Sequence, residues 1–576
     1  MRLSTERDRD AERGIEVLHA ALDLGVTFFD TADAYCLDDT EVGHNERLLA
    51  RALSTWSGDR SRLVVATKGG LTRPNGEWVP DGRAHHLREA CERSLRALGV
   101  ERIDLYQLHA VDPRVPLSTS VRALAGLKAD GLVSRIGLCN VNVGQIEEAR
   151  RIADVSAVQV ELSVWDDESL LNGVLDYCVA NRIQLIAYRP LGGARRVRRL
   201  RHHPALRDLA ERHGATPAEI ALAWLNGLSP DLVSIPGPTK IETVQSIVRA
   251  HGISLSADDR ERIRRKGASL ESPAPPRDGE VVLIMGLPGA GKSTLSGTFV
   301  GEGYARLNRD DAGGSLRGLL PELQRLVEDG QSRIVLDNTY MSRASRARVI
   351  DAAQALGLTV RCVWLATSVE DAQVNAVSRI LANHGRLLGP EEMKQAVKRD
   401  ISAFAPSVQF RHQRELEPPD PAEGFSRIDV RPFERTRDAS MTNKALIVWV
   451  DESLVSRGAV LRRYHDAGWT LLGIAWCPQV ADNTMTAGQV EAGLARVQEQ
   501  LGIPIEVLYC PHAAGPPKCW CRKPLPGLGV VFIQRHRLDP SRCIYVGSGP
   551  QDPVFARRLG FQYRDAGEFF DDRVLG

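Results

Sequence analysis

The chain has 576 residues, several times the length of a typical single domain, so we expect about three or four folded units. Its 74 lysines and arginines balance 73 aspartates and glutamates, so no net field favours polyanions, and any nucleic-acid site must be a local patch. No apolar run approaches the roughly 20 residues of a membrane span, and residues 1–10 lack a signal-peptide core. These features predict a cytoplasmic protein without a membrane partner.

Residues 1–266 alternate short apolar runs with amphipathic helical patterns. Because parallel strands need helical crossovers between them, this alternation predicts a parallel sheet closed into a TIM (β/α)8-type barrel. We expect strands at residues 26–30, 63–67, 103–108, 135–138, 157–160, 183–188 and 232–235.

Polar residues follow three of these predicted strands. Asp30 and Tyr35 follow the first, Lys68 the second and His109 the third, and the carboxyl ends of barrel strands meet at one mouth. We therefore expect these four residues to converge at that mouth. The alternative is barrel-lining polar residues without chemistry.

Three motifs carry a resemblance to a known family: Phe-Asp-Thr-Ala-Asp-Ala-Tyr at 29–35, Ala-Thr-Lys at 66–68 and Tyr-Gln-Leu-His at 106–109. Over roughly the first half of the chain they resemble the aldo-keto reductases. The resemblance implies that Tyr35 is the general acid with a pKa lowered by Lys68, that Asp30 braces the lysine, and that His109 orients a small-molecule carbonyl. It also implies that NADP(H) contacts Asn140, Gln159, Tyr188, Thr239 and Lys240.

Reductases of this family begin with another strand before the first helix. Residues 1–4 could represent only the end of that strand. We therefore expect the first strand of the barrel to be missing from this sequence.

Residues 267–279, rich in prolines and small polar residues, are predicted to be a linker to a second domain at 280–436. There the apolar run 281–285 enters the pattern G-x-x-x-x-G-K-S, which predicts a P-loop NTPase with a parallel sheet. Its glycines let backbone N–H groups surround phosphate oxygens, the lysine adds a charge toward the β- and γ-phosphates, and the serine is placed for Mg²⁺. The bland alternative is a glycine-rich turn. The expected ATP-binding residues here are Gly286, Gly289, Gly291, Lys292, Ser293 and Thr294.

Further motifs resemble the kinase domain of polynucleotide kinase-phosphatases: Asn-Arg-Asp at 308–310, Asp-Asn-Thr at 337–339, Ser-Arg-Ala-Arg at 345–348 and Gly-Phe at 424–425. The resemblance implies that Asp310 takes the proton of a substrate hydroxyl, that Asp337 helps hold metal, nucleotide or substrate, and that Arg379 neutralises the transferred phosphoryl group. It makes Arg317 a candidate for binding a substrate phosphate. It favours a 5′-hydroxyl end of RNA or DNA as acceptor; a small-molecule hydroxyl is the alternative.

Residues 444–576 begin with an apolar run and contain the segment Cys510-Pro-His512 … Cys519-Trp-Cys521-Arg-Lys-Pro. They resemble the haloacid-dehalogenase phosphatases, in particular the zinc-bearing histidinol and heptose bisphosphate phosphatases, which implies a Rossmann-like domain. Three thiolates and an imidazole in two close pairs suit tetrahedral Zn²⁺, and four protein ligands make such a site structural. Free thiols are the alternative.

The catalytic pair of that phosphatase family is broken here. The family attacks phosphate with the first Asp of an Asp-x-Asp pair and uses the second as acid and base. If Asp451 is the first, Ser453 replaces the second; if it is the second, Trp449 replaces the first. Ser548 stands where a metal-binding Asp is expected, whereas Lys523 is present. We therefore expect a pseudo-phosphatase used for binding or architecture.

The leading interpretation is an ATP-dependent polynucleotide 5′-hydroxyl kinase of nucleic-acid end repair, fused to an NADP-dependent carbonyl-reductase-like barrel and a pseudo-phosphatase. The second is a metabolic enzyme that reduces and phosphorylates a small aldehyde or sugar. The third is a nucleotide-sensing binding scaffold. The choice between RNA and DNA, the carbonyl substrate and the oligomeric state stay open.

Overall fold

A computed structural model of the chain describes residues 1–264, 275–313, 315–435, 438–515 and 518–571, without the side chains of Arg195 and Glu452. Of the predicted linker 267–279, residues 267–274 lie outside the described residues. The chain divides into two compact units, Met1–Glu271 and Ser272–Gly576. Within the described ranges, no helix is both long and apolar enough to cross a membrane.

The first unit is built on seven parallel strands, and each is hydrogen-bonded to the next in the order β1-β2-β5-β6-β7-β8-β9. This is the wall of a nearly closed parallel α/β barrel, which confirms the predicted fold class. All seven expected strands are present. The strands are β1 (Phe28–Asp30), β2 (Val64–Gly69), the short antiparallel pair β3 (Leu71–Thr72) and β4 (Val79–Pro80), β5 (Ile103–Leu108), β6 (Val133–Cys139), β7 (Val155–Glu161), β8 (Gln184–Tyr188) and β9 (Leu232–Ile235).

Helices between these strands bury their apolar faces against the barrel wall, where Leu87, Tyr106 and Leu124 are fully buried. Capping boxes start two of the helices, with Asn142 bonding Gln145 and Thr216 bonding Glu219. The helices are α1 (Arg2–Thr5), α2 (Ala11–Asp23), α3 (His44–Thr55), α4 (Ala84–Leu98), α5 (Leu117–Ala129), α6 (Val143–Arg150), α7 (Glu168–Leu171), α8 (Val174–Ala180), α9 (Gly193–Arg196), α10 (Pro204–His213), α11 (Pro217–Asn226), α12 (Ile241–His251) and α13 (Ala257–Arg264), with 3-10 turns at Asp39–Glu41, Pro74–Gly76 and Val197–His202.

The second unit contains two five-stranded parallel sheets. The first has the order β11-β12-β10-β13-β14, with the strand that precedes the P-loop at its buried centre. Its strands are β10 (Glu280–Met285), β11 (Ala305–Leu307), β12 (Arg333–Asp337), β13 (Thr359–Leu365) and β14 (Arg427–Arg431). Its helices are α14 (Lys292–Gly301), α15 (Arg309–Ala312), α16 (Leu319–Glu328), α17 (Arg343–Ala355), α18 (Val369–His384), α19 (Pro390–Ala396) and α20 (Pro406–Glu415), with 3-10 turns at Leu316–Gly318 and Pro421–Glu423.

The other sheet has the order β17-β16-β15-β18-β19 and belongs to residues 444–571, which we call the tail. Alternate residues of its central strand enter two different apolar clusters, as expected for a sheet covered on both faces. The strands are β15 (Ala445–Trp449), β16 (Thr470–Trp476), β17 (Glu506–Cys510), β18 (Ile544–Gly547) and β19 (Gln562–Asp565). The helices are α21 (Gly458–Asp466), α22 (Ala487–Leu501), α23 (Gly527–His536), α24 (Asp552–Leu559) and α25 (Ala566–Phe570), with 3-10 turns at Glu452–Arg457, Pro478–Val480 and Pro540–Arg542.

Candidate active sites and metal centre

The mouth of the barrel brings together the four residues predicted for carbonyl reduction. Asp30 ends β1, Lys68 lies in β2, and Tyr35 and His109 lie in the loops that follow β1 and β5. The Lys68 Nζ atom donates to Asp30 Oδ2 at 2.6 Å, to the Tyr35 hydroxyl at 3.0 Å and to the backbone oxygen of Thr31 at 2.9 Å. Because the lysine side chain is fully buried, these three contacts fix its position.

The charges of this cluster settle the protonation of its members. Burial lowers the pKa of Lys68, but the charge and hydrogen bond of Asp30, with a contribution from Tyr35, outweigh burial and raise that pKa above its ordinary value. Burial raises the pKa of Tyr35 to about 12, although Lys68 acts to lower it. Lys68 thus lowers the pKa of Tyr35 as expected, but desolvation exceeds this effect, so the net pKa lies above the ordinary value. At neutral pH the lysine is therefore charged and the tyrosine hydroxyl keeps its proton.

His109 lies beside the tyrosine, with their ring centroids 5.5 Å apart in an edge-to-face arrangement. Burial, and then the charge of Lys68, hold the pKa of His109 well below its usual range, so the imidazole is neutral. Its Nδ1 atom is buried and has no hydrogen-bond partner among the described residues. Trp78, a residue not predicted, completes this group with ring centroids 6.2 Å from His109 and 6.4 Å from Tyr35. The available signal was a tryptophan in the stretch between a predicted strand and the next helical pattern.

The residues expected to contact a nicotinamide cofactor lie at the same end of the barrel. Gln159 donates to Asp30 Oδ1 at 2.9 Å. The Tyr188 hydroxyl donates to Asn140 Oδ1 at 2.9 Å, and Asn140 has a left-handed backbone with φ 57°. Thr239 and Lys240 lie beyond the carboxyl end of β9, where α12 begins. The first three residues thus adjoin the reducing cluster, and the last two lie at a helix start suited to an anion.

In the second unit, the predicted phosphate loop has the backbone of a P-loop. Gly286, Gly289 and Gly291 have φ values of 155°, 88° and 95°, which side chains rarely tolerate. The Lys292 Nζ atom donates to the backbone oxygens of Gly286 at 3.0 Å and Leu287 at 2.9 Å.

Burial lowers the pKa of Lys292 to about 8, opposed in part by Asp337 and reinforced by Arg379. Ser293 and Thr294 are exposed in the first turn of α14.

Three residues outside this loop were also predicted for phosphoryl transfer, and they differ in burial: Asp337 is buried, whereas Asp310 and Arg379 are exposed. Asp337 ends β12 with a buried carboxylate, which accepts from the Ser296 hydroxyl at 3.0 Å and pairs with Arg306 at 2.8 Å. Asp310 is exposed and pairs with Arg309 at 2.9 Å.

Arg379 is exposed on α18, and Arg317 lies exposed in the turn Leu316–Gly318. Arg306 was not predicted as a residue of this site.

The carboxyl edge of the tail sheet is occupied by an ion pair and an aromatic ring. Lys523 forms an ion pair with the buried Asp552, and its Nζ atom donates to the Tyr545 hydroxyl at 2.9 Å. The same Nζ atom lies 3.5 Å from the centroid of the Trp449 ring. Asp451 instead accepts from the backbone N–H of Ser453 at 2.9 Å, as the cap of a short helix.

The predicted Cys/His cluster is assembled in the tail. Cys521 Sγ lies 3.3 Å from Cys510 Sγ and 3.2 Å from His512 Nδ1. Cys519 Sγ lies 3.8 Å from Cys510 Sγ, and one ligand atom from each of the four residues lies within 4.8 Å of the others. This donor set could hold one tetrahedral metal ion.

Comparison with known proteins assigns the two regions to different families. Residues 1–268 match the aldo/keto reductase family, and residues 281–401 match a family described as an AAA domain. Over 270 residues the chain is 35% identical to an uncharacterized oxidoreductase of Schizosaccharomyces pombe, which covers 46% of this chain and 83% of that protein. Over 277 residues it is 34% identical to probable aldo-keto reductase 1 of Glycine max, covering 43% and 78%.

Solved structures align with the same region. One is an aldo/keto reductase from Klebsiella pneumoniae in complex with NADP and acetate, with 28% identity, coverage of 44% of this chain and 85% of that one, and a TM-score of 0.39. The thermostable aldo-keto reductase Tm1743 shows 29% identity, coverage of 46% and 90%, and a TM-score of 0.40. The two family matches and the curated relatives define the class of the protein as an oxidoreductase joined to a P-loop, kinase-like domain. The chain belongs to the aldo/keto reductase family.

Proposed function

We propose that the barrel reduces small carbonyl compounds with NADP(H). The observation that carries this proposal is the buried contact of Lys68 with both Asp30 and the Tyr35 hydroxyl. When bound, the nicotinamide supplies the hydride. Asn140, Gln159 and Tyr188 fit its ring end as polar groups at the mouth, and Thr239 and Lys240 fit a phosphate at the start of α12.

Within this site, the protonation state of each residue determines its proposed role. Tyr35 donates its proton to the developing alkoxide, and Lys68 holds the hydroxyl and stabilises the negative charge left on it. Neutral His109 donates a hydrogen bond to the carbonyl oxygen, since its burial prevents protonation. Asp30 keeps the buried lysine charged.

We propose that the P-loop domain transfers phosphate from ATP to the 5′-hydroxyl end of RNA or DNA. The glycine backbone angles and the position of Lys292 support nucleotide binding, and Ser293 with Asp337 fits a Mg²⁺ site. Asp310 accepts the proton of the acceptor hydroxyl, and Arg379 neutralises charge on the transferred group. The choice of a nucleic-acid acceptor rests on the motifs shared with polynucleotide kinases.

We further propose that the chain comprises a reductase domain at 1–266, a kinase domain at 280–436 and a pseudo-phosphatase at 444–576 with a structural Zn²⁺. The four clustered ligands support the metal. Trp449 against Lys523 supports the register in which tryptophan replaces the nucleophile. Transfer of phosphate from a phosphomonoester to Asp451, detected by mass spectrometry, contradicts the pseudo-phosphatase.

The kinase proposal is tested with γ-labelled ATP and 5′-hydroxyl RNA and DNA oligonucleotides. We expect label at the 5′ end with the full chain and its loss in Lys292→Ala and Asp310→Asn. Asp451→Asn, in the tail, is the matched control and keeps full transfer. No transfer to either polymer while ATP still binds overturns the nucleic-acid acceptor. Transfer to small sugars alone then favours a metabolic kinase.

A further inference from the structure

Helix α18 contacts the P-loop with one of its faces. With 3.6 residues per turn, Ala372, Asn375 and Arg379 lie on the same side of this helix. Asn375 Nδ2 donates to the backbone oxygen of Gly289 at 2.9 Å. A Cβ atom at Gly289 would lie 2.4 Å from the backbone oxygen of Ala372, so the loop and the helix are in direct backbone contact. The position of α18 therefore sets the distance from Arg379 to the phosphate loop.

The opposite face of α18 is buried against the tail. Val374, Val377 and Leu381 belong to the same apolar cluster as Leu528 of α23 and Phe555 of α24. Arg435 links the two sides of this contact. It pairs with Asp371 of α18 at 2.6 Å and also donates to the backbone oxygen of Arg558 in α24 at 3.2 Å. The helix thus lies between the P-loop and the tail.

Trp520 joins the tail to the loop between α19 and α20, and α20 itself packs on α18. It is 1% exposed, and its Nε1 atom donates to the backbone oxygen of Phe404 at 2.9 Å. The rings of Phe404 and Trp520 also meet edge to face, with centroids 6.1 Å apart. Trp520 lies between Cys519 and Cys521, two members of the Cys/His cluster, so this contact starts from the same short segment as the candidate metal centre.

We propose that the tail is a buttress of the kinase site, in which Trp520 and the layer of α23 and α24 press α18 against the P-loop and keep Arg379 over the transferred phosphoryl group. Trp520 is then a positioning residue. This role needs a packed fold but no Asp-x-Asp pair, which accounts for a tail with an intact core and a broken catalytic pair. The inference rests on the proposed kinase function.

The test uses the full chain with Trp520→Ala, and with Trp520→Phe as the variant that keeps a ring but loses the Nε1 donor. Trp469→Ala is the matched control, because Trp469 packs on the other face of the tail sheet. Two quantities are measured: phosphate transfer at varied ATP, and hydrogen exchange of residues 369–384.

For Trp520→Ala we expect kcat to fall about tenfold or more, KM for ATP to stay within about twofold, and exchange of α18 to rise. Trp520→Phe gives an intermediate loss, which decides the question if Trp520→Ala does not fold. Trp469→Ala changes neither quantity.

Unchanged α18 exchange and kcat in both Trp520 variants overturns the buttress, as does an equal loss in Trp469→Ala. If the wild-type chain transfers phosphate to no acceptor, the proposed function fails. The exchange measurement alone then supports or overturns the contact between the tail and α18.

Discussion

Two lysines in this chain, Lys68 of the barrel and Lys523 of the tail, have nearly the same neighbours. Each lies at the carboxyl edge of a parallel sheet, forms an ion pair with an aspartate, and donates to a tyrosine hydroxyl, at 3.0 Å for Tyr35 and 2.9 Å for Tyr545. Yet the barrel site has the parts of a reducing centre and the tail site does not. The two Asp–Lys–Tyr groups therefore differ in their surroundings and not in their own composition.

The two groups differ in the residues that surround the lysine and the tyrosine. In the barrel, the tyrosine faces His109, whose buried Nδ1 is without a partner among the described residues. In the tail, the ring of Trp449 covers the lysine, and Tyr545 donates to Asp552 at 3.1 Å. The pKa of Lys68 is raised, whereas burial lowers the pKa of Lys523 despite Asp552. The barrel group thus adjoins a buried nitrogen without a partner among the described residues, whereas the polar groups of Lys523, Tyr545 and Asp552 pair with one another.

The largest effect is expected from removing the two tyrosine hydroxyls. Tyr35→Phe deletes the proton donor, so carbonyl-dependent NADPH oxidation should fall by about 10²–10⁴-fold at an unchanged melting temperature. Tyr545→Phe is the matched control and should leave reduction unaltered. A Tyr35→Phe enzyme that retains wild-type kcat would remove the tyrosine from the mechanism and break the comparison.

Removing the two lysines separates stability from catalysis. Lys68→Met and Lys523→Met each leave a buried aspartate without its cation, so each should lower the free energy of unfolding of its own unit by about 3–5 kcal/mol. Urea unfolding followed by hydrogen exchange of each unit measures this loss. Only Lys68→Met should also abolish reduction. Equal loss of reduction in both variants shows that the tail lysine has a role that its closed surroundings do not explain.

Sequence reasoning predicted the strands better than the surroundings of the sites. Strands such as Ile103–Leu108 and Leu232–Ile235 have the predicted bounds, because polar or turn residues flank stretches that are mainly apolar. The edge strand Arg427–Arg431 was missed, since its alternating charged residues make no apolar run.

Other errors concern burial, which residue type does not reveal. The pKa of Tyr35 rises because desolvation exceeds the effect of Lys68. The apolar residues around α18 could not show that one face meets the tail, because a sequence pattern identifies a buried face and not the partner that buries it.

A third lysine, the half-buried Lys292, extends the comparison to the P-loop. Its pKa is lowered to about 8 by burial, so the free protein loses this charge as the pH rises through that value. A bound polyphosphate favours the charged amine, so ATP affinity should fall by up to about tenfold per pH unit above pH 8. Calorimetric titration between about pH 7 and 9.5 measures the slope. Lys292→Arg, whose guanidinium stays protonated, should bind with a flat profile; a flat wild-type profile contradicts the shifted lysine.

The smallest expected effect lies at the mouth of the barrel, where Tyr188 donates to Asn140 at 2.9 Å. The bond holds an exposed asparagine whose left-handed backbone has φ 57° and whose side chain is proposed to meet the nicotinamide. One such bond contributes about 0.5–1.5 kcal/mol, so Tyr188→Phe should raise the Kd of NADP(H) by roughly 2–10-fold with kcat nearly unchanged. Fluorescence titration of NADPH gives the Kd.

Tyr177→Phe is the control for that variant, because Tyr177 accepts from Arg150 on the outer helices of the same barrel. It should leave cofactor affinity unchanged. If Tyr188→Phe instead lowers kcat as strongly as Tyr35→Phe, then Tyr188 contributes to the chemical step. The residues that act in proton transfer would then include a residue of β8.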